Sequence, residues 1–385
     1  MAKTALIIGG GAPNATLMSG ALCAFDEAGV EFDVVSTAGA GALIGLLYLA
    51  PASGDAQAAL RSTVEMGVSD AIYDRYPVNY KVFQKPGPVA DLYRNLMQAN
   101  PFLQAIQKSA GSGAADKLVA DLAQLMFASL CPTNLDSKSL GLCAAVPFLE
   151  HIVDFAALEA HRTRFYVNAF NIDDRYMQNF SSARGEINAD TIRAALAFPF
   201  LYPPYRMKDP KSKTGEEKFY YEGAAHDCLN YKSLVDNERS VRDIVVFDVL
   251  GAEKLMRKPR DLYDAWLLSI IVPLVEIARD DTKIFQDRHN RAGKWNLLPV
   301  QFDIAARDWE TSLDWSRSNL ARLFDVGYRS AQKFLADEGA ALPRRGTAEV
   351  ATPAPTPARR RKATRMRDAD VAAAPVADTS SDAVA

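Results

Sequence analysis

An α/β fold, a sheet covered by helices, is the architecture this chain predicts, and its first fifty residues carry the prediction. Thr4–Ile8 is a short apolar run that breaks on Gly9-Gly10-Gly11. From Leu17 to Glu27 the apolar residues recur at helical spacing, and Gly29 stands where a helix would stop. Phe32–Val35 reads as a second buried strand, which turns at Gly39 into an apolar helix through Leu49. Strand–helix–strand–helix alternation places helices on the faces of a sheet.

Composition narrows the class. The 385 residues allow one large domain or two ordinary ones, and 49% apolar with 24% charged residues is the balance of a globular protein with a substantial core. A net charge of −3 gives no overall basic footprint for nucleic acid. Cys23, Cys131, Cys143 and Cys228 are scattered without CxxC spacing, which suggests neither zinc nor a disulfide framework and fits a reducing cytoplasm. The four histidines, His151, His161, His226 and His289, are thin stock for a histidine triad or a metal site. No metal or cofactor is expected. The N-terminus lacks a cleavable apolar region. The run Ala265–Ala278, broken by Ser269 and Pro273, is too short to span a bilayer and reads as a buried helix.

Between about 52 and 160 the pattern becomes helical, with Leu118, Leu122, Leu125 and Met126 at helix spacing, and reads as an insertion or cap. Strand character returns at Arg164–Phe170, with further strands at Phe219–Tyr221 and Asp243–Val249. Helices are expected over Asp190–Ala197, Leu262–Phe285 and Asn319–Leu335. Beyond about 340 the chain turns to Ala, Pro, Thr, Arg and Asp, a tail that cannot bury enough apolar surface to offset its ordering entropy.

Two glycine-rich turns carry the chemistry. A loop such as Gly9–Gly11 at the start of a helix exposes backbone N–H groups that favour an anion or a developing oxyanion. Dinucleotide binding is the competing use, but Asn14 stands where the third glycine should, and Asp33 starts the second strand instead of ending it. A nucleotide-binding module is therefore the remote alternative. The second turn, Thr37-Ala38-Gly39-Ala40-Gly41, has the small residues of a nucleophile elbow, in which a sharp strand-to-helix turn lifts a serine above the sheet.

Together these blocks resemble the patatin-like phospholipase family. Gly9-Gly10-Gly11-Ala12 is similar to its oxyanion loop, and Thr37 to Leu43 to its Gly-Thr-Ser-Ala-Gly-Ala-Leu elbow. Ile192 to Pro199, closing with Pro203-Pro204, is similar to its Arg-Ala-Ser-x-Ala-x-Pro run, and Tyr220-Tyr221-Glu222-Gly223-Ala224 to its Asp-Gly-Ala block. Asp243–Val249 is similar to the strand that follows. The resemblance covers about residues 1–340, leaving 341–385 as the tail. It implies a three-layer sandwich with a central, mostly parallel sheet and a helical insertion. It further implies a lipid or acyl-ester substrate and a Ser/Asp pair that needs no histidine.

The departures fall on the chemistry. Gly39 takes the serine position, Glu222 the aspartate position, Pro13 that of the basic loop residue, and Thr37 that of the first elbow glycine. The function expected is thus a lipid-related protein with a degenerate hydrolase site, a non-catalytic acyl-chain or lipid binder or a regulatory pseudoenzyme. The alternative is an acyl hydrolase, esterase or thioesterase in which Glu222 orients water, or in which Ser36, Thr37 or His226 substitutes. Ser19 and Cys23 on the first helix read as small buried residues. Phe102, Leu103, Phe127 and Phe148 are expected to line the cleft beneath the cap. In the tail, Arg344-Arg345 and Arg359–Lys362 form basic knots that suit an anionic surface, a reading in which a cytoplasmic protein is tethered to a membrane or lipid inclusion. A partner protein is the other expected contact.

Overall fold

The computed structural model describes residues 3–11, 14–101, 103–105, 113–133, 135–143, 149–249, 255–305, 308 and 313–345. Residues 1–346 make one compact unit. Ala12, Pro13, Phe102, Phe148 and the basic knot Arg359–Lys362 lie outside the described residues.

Eight strands form one sheet: β1 (Lys3–Ile8), β2 (Val34–Thr37), β3 (Arg164–Asn171), β4 (Tyr176–Ser181), β5 (Tyr205–Lys208), β6 (Glu217–Glu222), β7 (Val241–Phe247) and β8 (Asn296–Pro299). Their order is β5-β6-β3-β2-β1-β7-β8, with β4 also paired to β3. The run from β3 to β8 through β2, β1 and β7 is parallel, and β4, β5 and β6 add antiparallel pairs. The sheet is therefore mixed and mostly parallel, flanked by helices, as a patatin-like α/β fold requires. Ala5–Ile8 at its centre are wholly buried, which is why β1 reads as an unbroken apolar run.

The helices used below are α1 (Ala15–Glu27), α2 (Ala40–Leu49), α3 (Ala56–Ser62), α4 (Asp70–Tyr73), α5 (Pro88–Gln98), α6 (Ala114–Leu130), α7 (Leu149–Ile152), α8 (Phe155–Ala160), α9 (Ala189–Ala195), α10 (Tyr231–Asn237), α11 (Leu262–Ile284) and α12 (Arg317–Asp337). Helices α3 to α8 fall in the stretch expected to form a cap. Helix α1 crosses α12 backbone to backbone: a Cβ on Gly20 would overlap the Phe324 carbonyl, and one on Gly327 the Leu17 carbonyl. Asn188 caps α9 in a reciprocal box with Thr191, so the helix starts where the side chains can take its free N–H groups.

The structure corrects three expectations. Leu342–Arg345, expected in the tail, pack on the compact unit: Leu342 is buried, Arg344 bridges to Val30, and Arg345 pairs with Asp26. Helix α11 is buried on one face only, through Leu268, Ile271, Leu274, Val275 and Ala278, while Pro273 faces out. Its apolar run is the core-facing stripe of a surface helix. Strand β2 begins two residues later than expected and ends on Thr37, because the Asp33 carboxylate accepts the Thr4 N–H at the entry to the ladder.

Candidate functional site

Strand β3 sets the geometry. Tyr166 and Val167 pair with β2 and with β4 at once, so those two strands lie on opposite edges of β3. Ala169–Asn171 pair with β4 and with β6 at once, so β6 lies on the edge that β2 uses. Thr37 ends β2 opposite Val167, and Glu222 ends β6 opposite Ala169, two residues further along the same edge. Strand β6 thus delivers Glu222 to the place where β2 leaves the sheet for α2.

That departure runs through Gly39, at φ 49° and ψ −132°, as the N-cap of α2. The left-handed φ is the conformation that favours glycine, and it makes the turn sharp. A Cβ at residue 39 would overlap Glu222 Oε1 and stand 2.9 Å from Ala224 Cβ. The Glu222 carboxyl therefore fills the space that a residue-39 side chain would need. At Gly41 a Cβ would overlap the carbonyl oxygens of Ile8 and Gly9, so the first turn of α2 rests on the end of β1. A Cβ on Gly10 would stand 2.7 Å from Ala224 Cβ. Three loops converge here: Gly9–Gly11, Ala38–Gly41 and Glu222–Ala224.

Glu222 is only 8% exposed. Burial pushes its carboxyl up to about 8, because the charged form loses its water there. At neutral pH the group holds its proton. In the glycine loop, the Gly9 N–H donates to the Phe247 carbonyl at 3.1 Å and the Gly10 N–H to the Cys228 carbonyl at 3.2 Å. Gly9 extends the β1–β7 ladder by one residue, and with Gly10 on Cys228 two of the N–H groups expected to face an oxyanion are committed.

The expected substitutes stand apart. Ser36 is fully buried, and its Oγ lies 2.6 Å from Ser233 Oγ and donates to the Asn230 carbonyl, on the face opposite α2. The Thr37 hydroxyl donates to the Tyr166 carbonyl at 2.8 Å. His226 stacks flat on Phe170, with ring centroids 4.1 Å apart, and this packing lowers its pKa by burial. Successive strand residues face opposite ways, so Phe170 and His226 lie across the sheet from Ala169 and Glu222. Ser19 and Cys23 are fully buried in α1, and burial holds the Cys23 thiol up at about 12, far from a thiolate.

Residue types alone hid three features. Asn168 on β3 donates its Nδ2 to the Asp227 carbonyl, and Gly223 passes so close that a Cβ would overlap Asn168 Oδ1. A polar residue inside the apolar run Arg164–Phe170 was the available signal. Asp281 Oδ2 accepts the N–H groups of Cys228 (2.6 Å) and Leu229 (3.2 Å), pinning the loop that carries the Gly10 acceptor. Burial, reinforced by the nearby Asp227, raises the Asp281 pKa. Asn14 is fully buried at the start of α1, and neither atom of its amide finds a partner among the described residues.

Residues of α2 and of the stretch from Ser53 to Ile152 line a cavity of about 1340 Å³. It begins at Leu43 and Leu47, one and two turns along α2 from Gly39, and includes Leu103 and Phe127. Gly39, Glu222 and the glycine loop are not part of its lining. Among the described residues no group of His, Cys, Asp and Glu could hold a metal ion, and no helix is long and apolar enough to cross a membrane.

A parallel strand that turns through a left-handed residue into a helix, with a carboxyl from a neighbouring strand end at the turn, defines an α/β protein of the nucleophile-elbow class. The sequence matches the family model described as patatin-like phospholipase over residues 6–235, more than half of the chain. The chain belongs to the patatin-like phospholipase family. It is also similar to the crystal structure of VipD from Legionella pneumophila, with a TM-score of 0.38 and 16% identity, covering 87% of this chain and 67% of that one. No curated protein matches it in sequence.

Proposed function

We propose that this chain is a patatin-like protein that binds a lipid or acyl ester without turning it over. The observation that carries the reading is the overlap at residue 39. The longer Glu222 carboxyl takes the volume vacated by a serine CH₂OH, so the two departures from the family pattern fit one another sterically. The space left at Gly39 is then filled by protein, which disfavours a water held there for attack. A proton on Glu222 up to about pH 8 removes the base, and the commitment of the Gly9 and Gly10 N–H groups weakens the oxyanion site. Ser36 and Thr37 are tied into structural hydrogen bonds and make poor nucleophiles. The cap cavity exceeds the roughly 300–1,000 Å³ of ordinary small-molecule sites and suits a long apolar chain.

The test is esterase and phospholipase activity of wild type beside Gly39→Ser and Gly39→Ser/Glu222→Asp, with extraction and mass spectrometry of co-purified lipid. Silent wild type carrying lipid, with turnover appearing in the double variant, is the expected result. Wild-type turnover that climbs above pH 8 and vanishes in Glu222→Gln would overturn it, and would make Glu222 a base acting on water.

A further inference from the structure

We infer that the outer face of α6 is the interface of a twofold dimer, in which two copies of this helix pack antiparallel. The inference does not depend on what the cavity holds. Helix α6 is apolar on both sides. Its inner side gives Ala120, Ala123 and Phe127 to the cavity wall, and Ala120 and Asp121 are buried. On its outer side Val119 is 62% exposed, Leu122 50%, Met126 57% and Leu130 69%. A surface helix ordinarily turns charged residues outward, and a helix that is hydrophobic all round is one that is packed all round. A contiguous apolar patch of this kind marks an interaction site, whereas scattered apolar residues do not.

The charges of α6 leave that face bare. Its three charged residues are Asp116, Lys117 and Asp121. Lys117 pairs with Glu65 at 2.8 Å and Asp121 with Lys81 at 2.9 Å, so both are turned onto the body of the protein. From Leu122 to Leu130 the helix has no charge at all. Val119, Leu122 and Met126 follow the three-and-four spacing of a seam between paired helices. The patch continues onto α5 through the exposed Val89 and Leu92, because α5 starts beside the end of α6, where the Cys131 thiol donates to the Ala90 carbonyl at 4.0 Å.

Shape and charge select a second copy as the occupant. A helix built to lie in a lipid interface carries free Lys and Arg on its polar face and Trp or Phe on the other. Neither α5 nor α6 has an exposed aromatic side chain, and their Arg94 and Lys117 are tied to Asp91 and Glu65. Residues 347–385 contain no Leu, Ile or aromatic residue, so the tail has no ridge with which to fill the seam. A second α6 has one. Set antiparallel, with Leu122 against Met126 of the second copy, the helices repeat that contact about the twofold axis, as an isologous interface requires. Six residues out from this layer, Asp116 comes opposite Pro132 of the second copy. There the Lys85 ammonium donates to the Cys131 carbonyl at 3.0 Å. Asp116 is exposed, and neither it nor Lys85 is in an ion pair among the described residues. Antiparallel packing thus sets an acid against a base at both ends of the seam, whereas a parallel pair would set Asp116 beside Asp116. Because the same helix walls the cavity from inside, pairing would brace that wall.

The experiment is sedimentation equilibrium of the full chain, wild type beside Leu122→Glu, with circular dichroism to report the fold. Wild type should be a dimer, and its dissociation constant should rise about a hundredfold in Leu122→Glu, because the twofold axis uses each buried leucine twice. Cysteine cross-linking reads the register with the interface intact. Leu122→Cys mixed with Met126→Cys should couple under mild oxidation faster than either variant alone, with wild type as the control for the native thiols. A wild type that is monomeric at its highest soluble concentration overturns the inference, as does a dimer that Leu122→Glu leaves unchanged. Monomeric wild type that binds phosphatidylcholine vesicles, with binding lost in Leu122→Glu, overturns it in favour of a lipid surface. Cross-linking of Leu122→Cys with itself and not with Met126→Cys overturns the antiparallel arrangement.

Discussion

At residue scale the pair Gly39 and Glu222 behaves as one unit. Gly39→Ser must place a Cβ at φ 49° into the Glu222 carboxyl, so it should destabilise the fold by about 1–3 kcal/mol. Glu222→Asp shortens the obstacle, and part of that loss should return in the double variant. A double-mutant cycle in urea reads the coupling, and additive effects would mean that the two do not touch. Glu222 also sets a pH dependence. Its folded value of about 8 lies above the 4.5 of a free glutamate, so between them the native state binds more protons than the unfolded chain. The contribution of Glu222 is therefore full below about pH 4.5 and is lost as pH rises through 8. Chemical denaturation from pH 5 to 8 should show stability falling in wild type and a flatter profile in Glu222→Gln.

At the scale of elements, α2 links the elbow to the cavity. Its N-terminus carries Gly39, and Leu43 and Leu47 one and two turns on face the cavity beneath α5 and α6. Any head group at the elbow and chain in the cavity would share this helix. Leu47→Trp adds bulk on the cavity side of α2 and should lower the lipid carried per protein, with a loss of stability of about 1–3 kcal/mol because Leu47 is buried. An unchanged lipid load would place the ligand elsewhere. The elements differ in how visible they are before folding. Strands β1, β2, β3 and β7 are apolar runs and announce themselves. Strands β4 and β5, such as Tyr205–Lys208, interleave polar residues, and β8 is only four residues long. They gain strand structure from the ladder beside them, a signal that local sequence does not contain.

At the scale of the whole molecule, the compact unit ends at Gly346. Removing residues 347–385 should leave the melting temperature of the protein unchanged, and a lower one would mean that the compact unit extends past its boundary. Sequence by itself determined the α/β class, the two glycine turns and the identity of the residues at the elbow, because these depend on local periodicity and on backbone conformations that small residues permit. The resemblance to the family's blocks also marked Gly39 and Glu222 as departures. Only the tertiary structure decided that they occupy one space, because the contact depends on β6 taking over the edge of β3 where β2 ends. It also tied Ser36 to α10, stacked His226 across the sheet from Glu222, and opened the cavity under the cap. Those outcomes come from pairing and packing between residues dozens of positions apart, and 197 apart for Ser36 and Ser233, which no short window along the chain can contain.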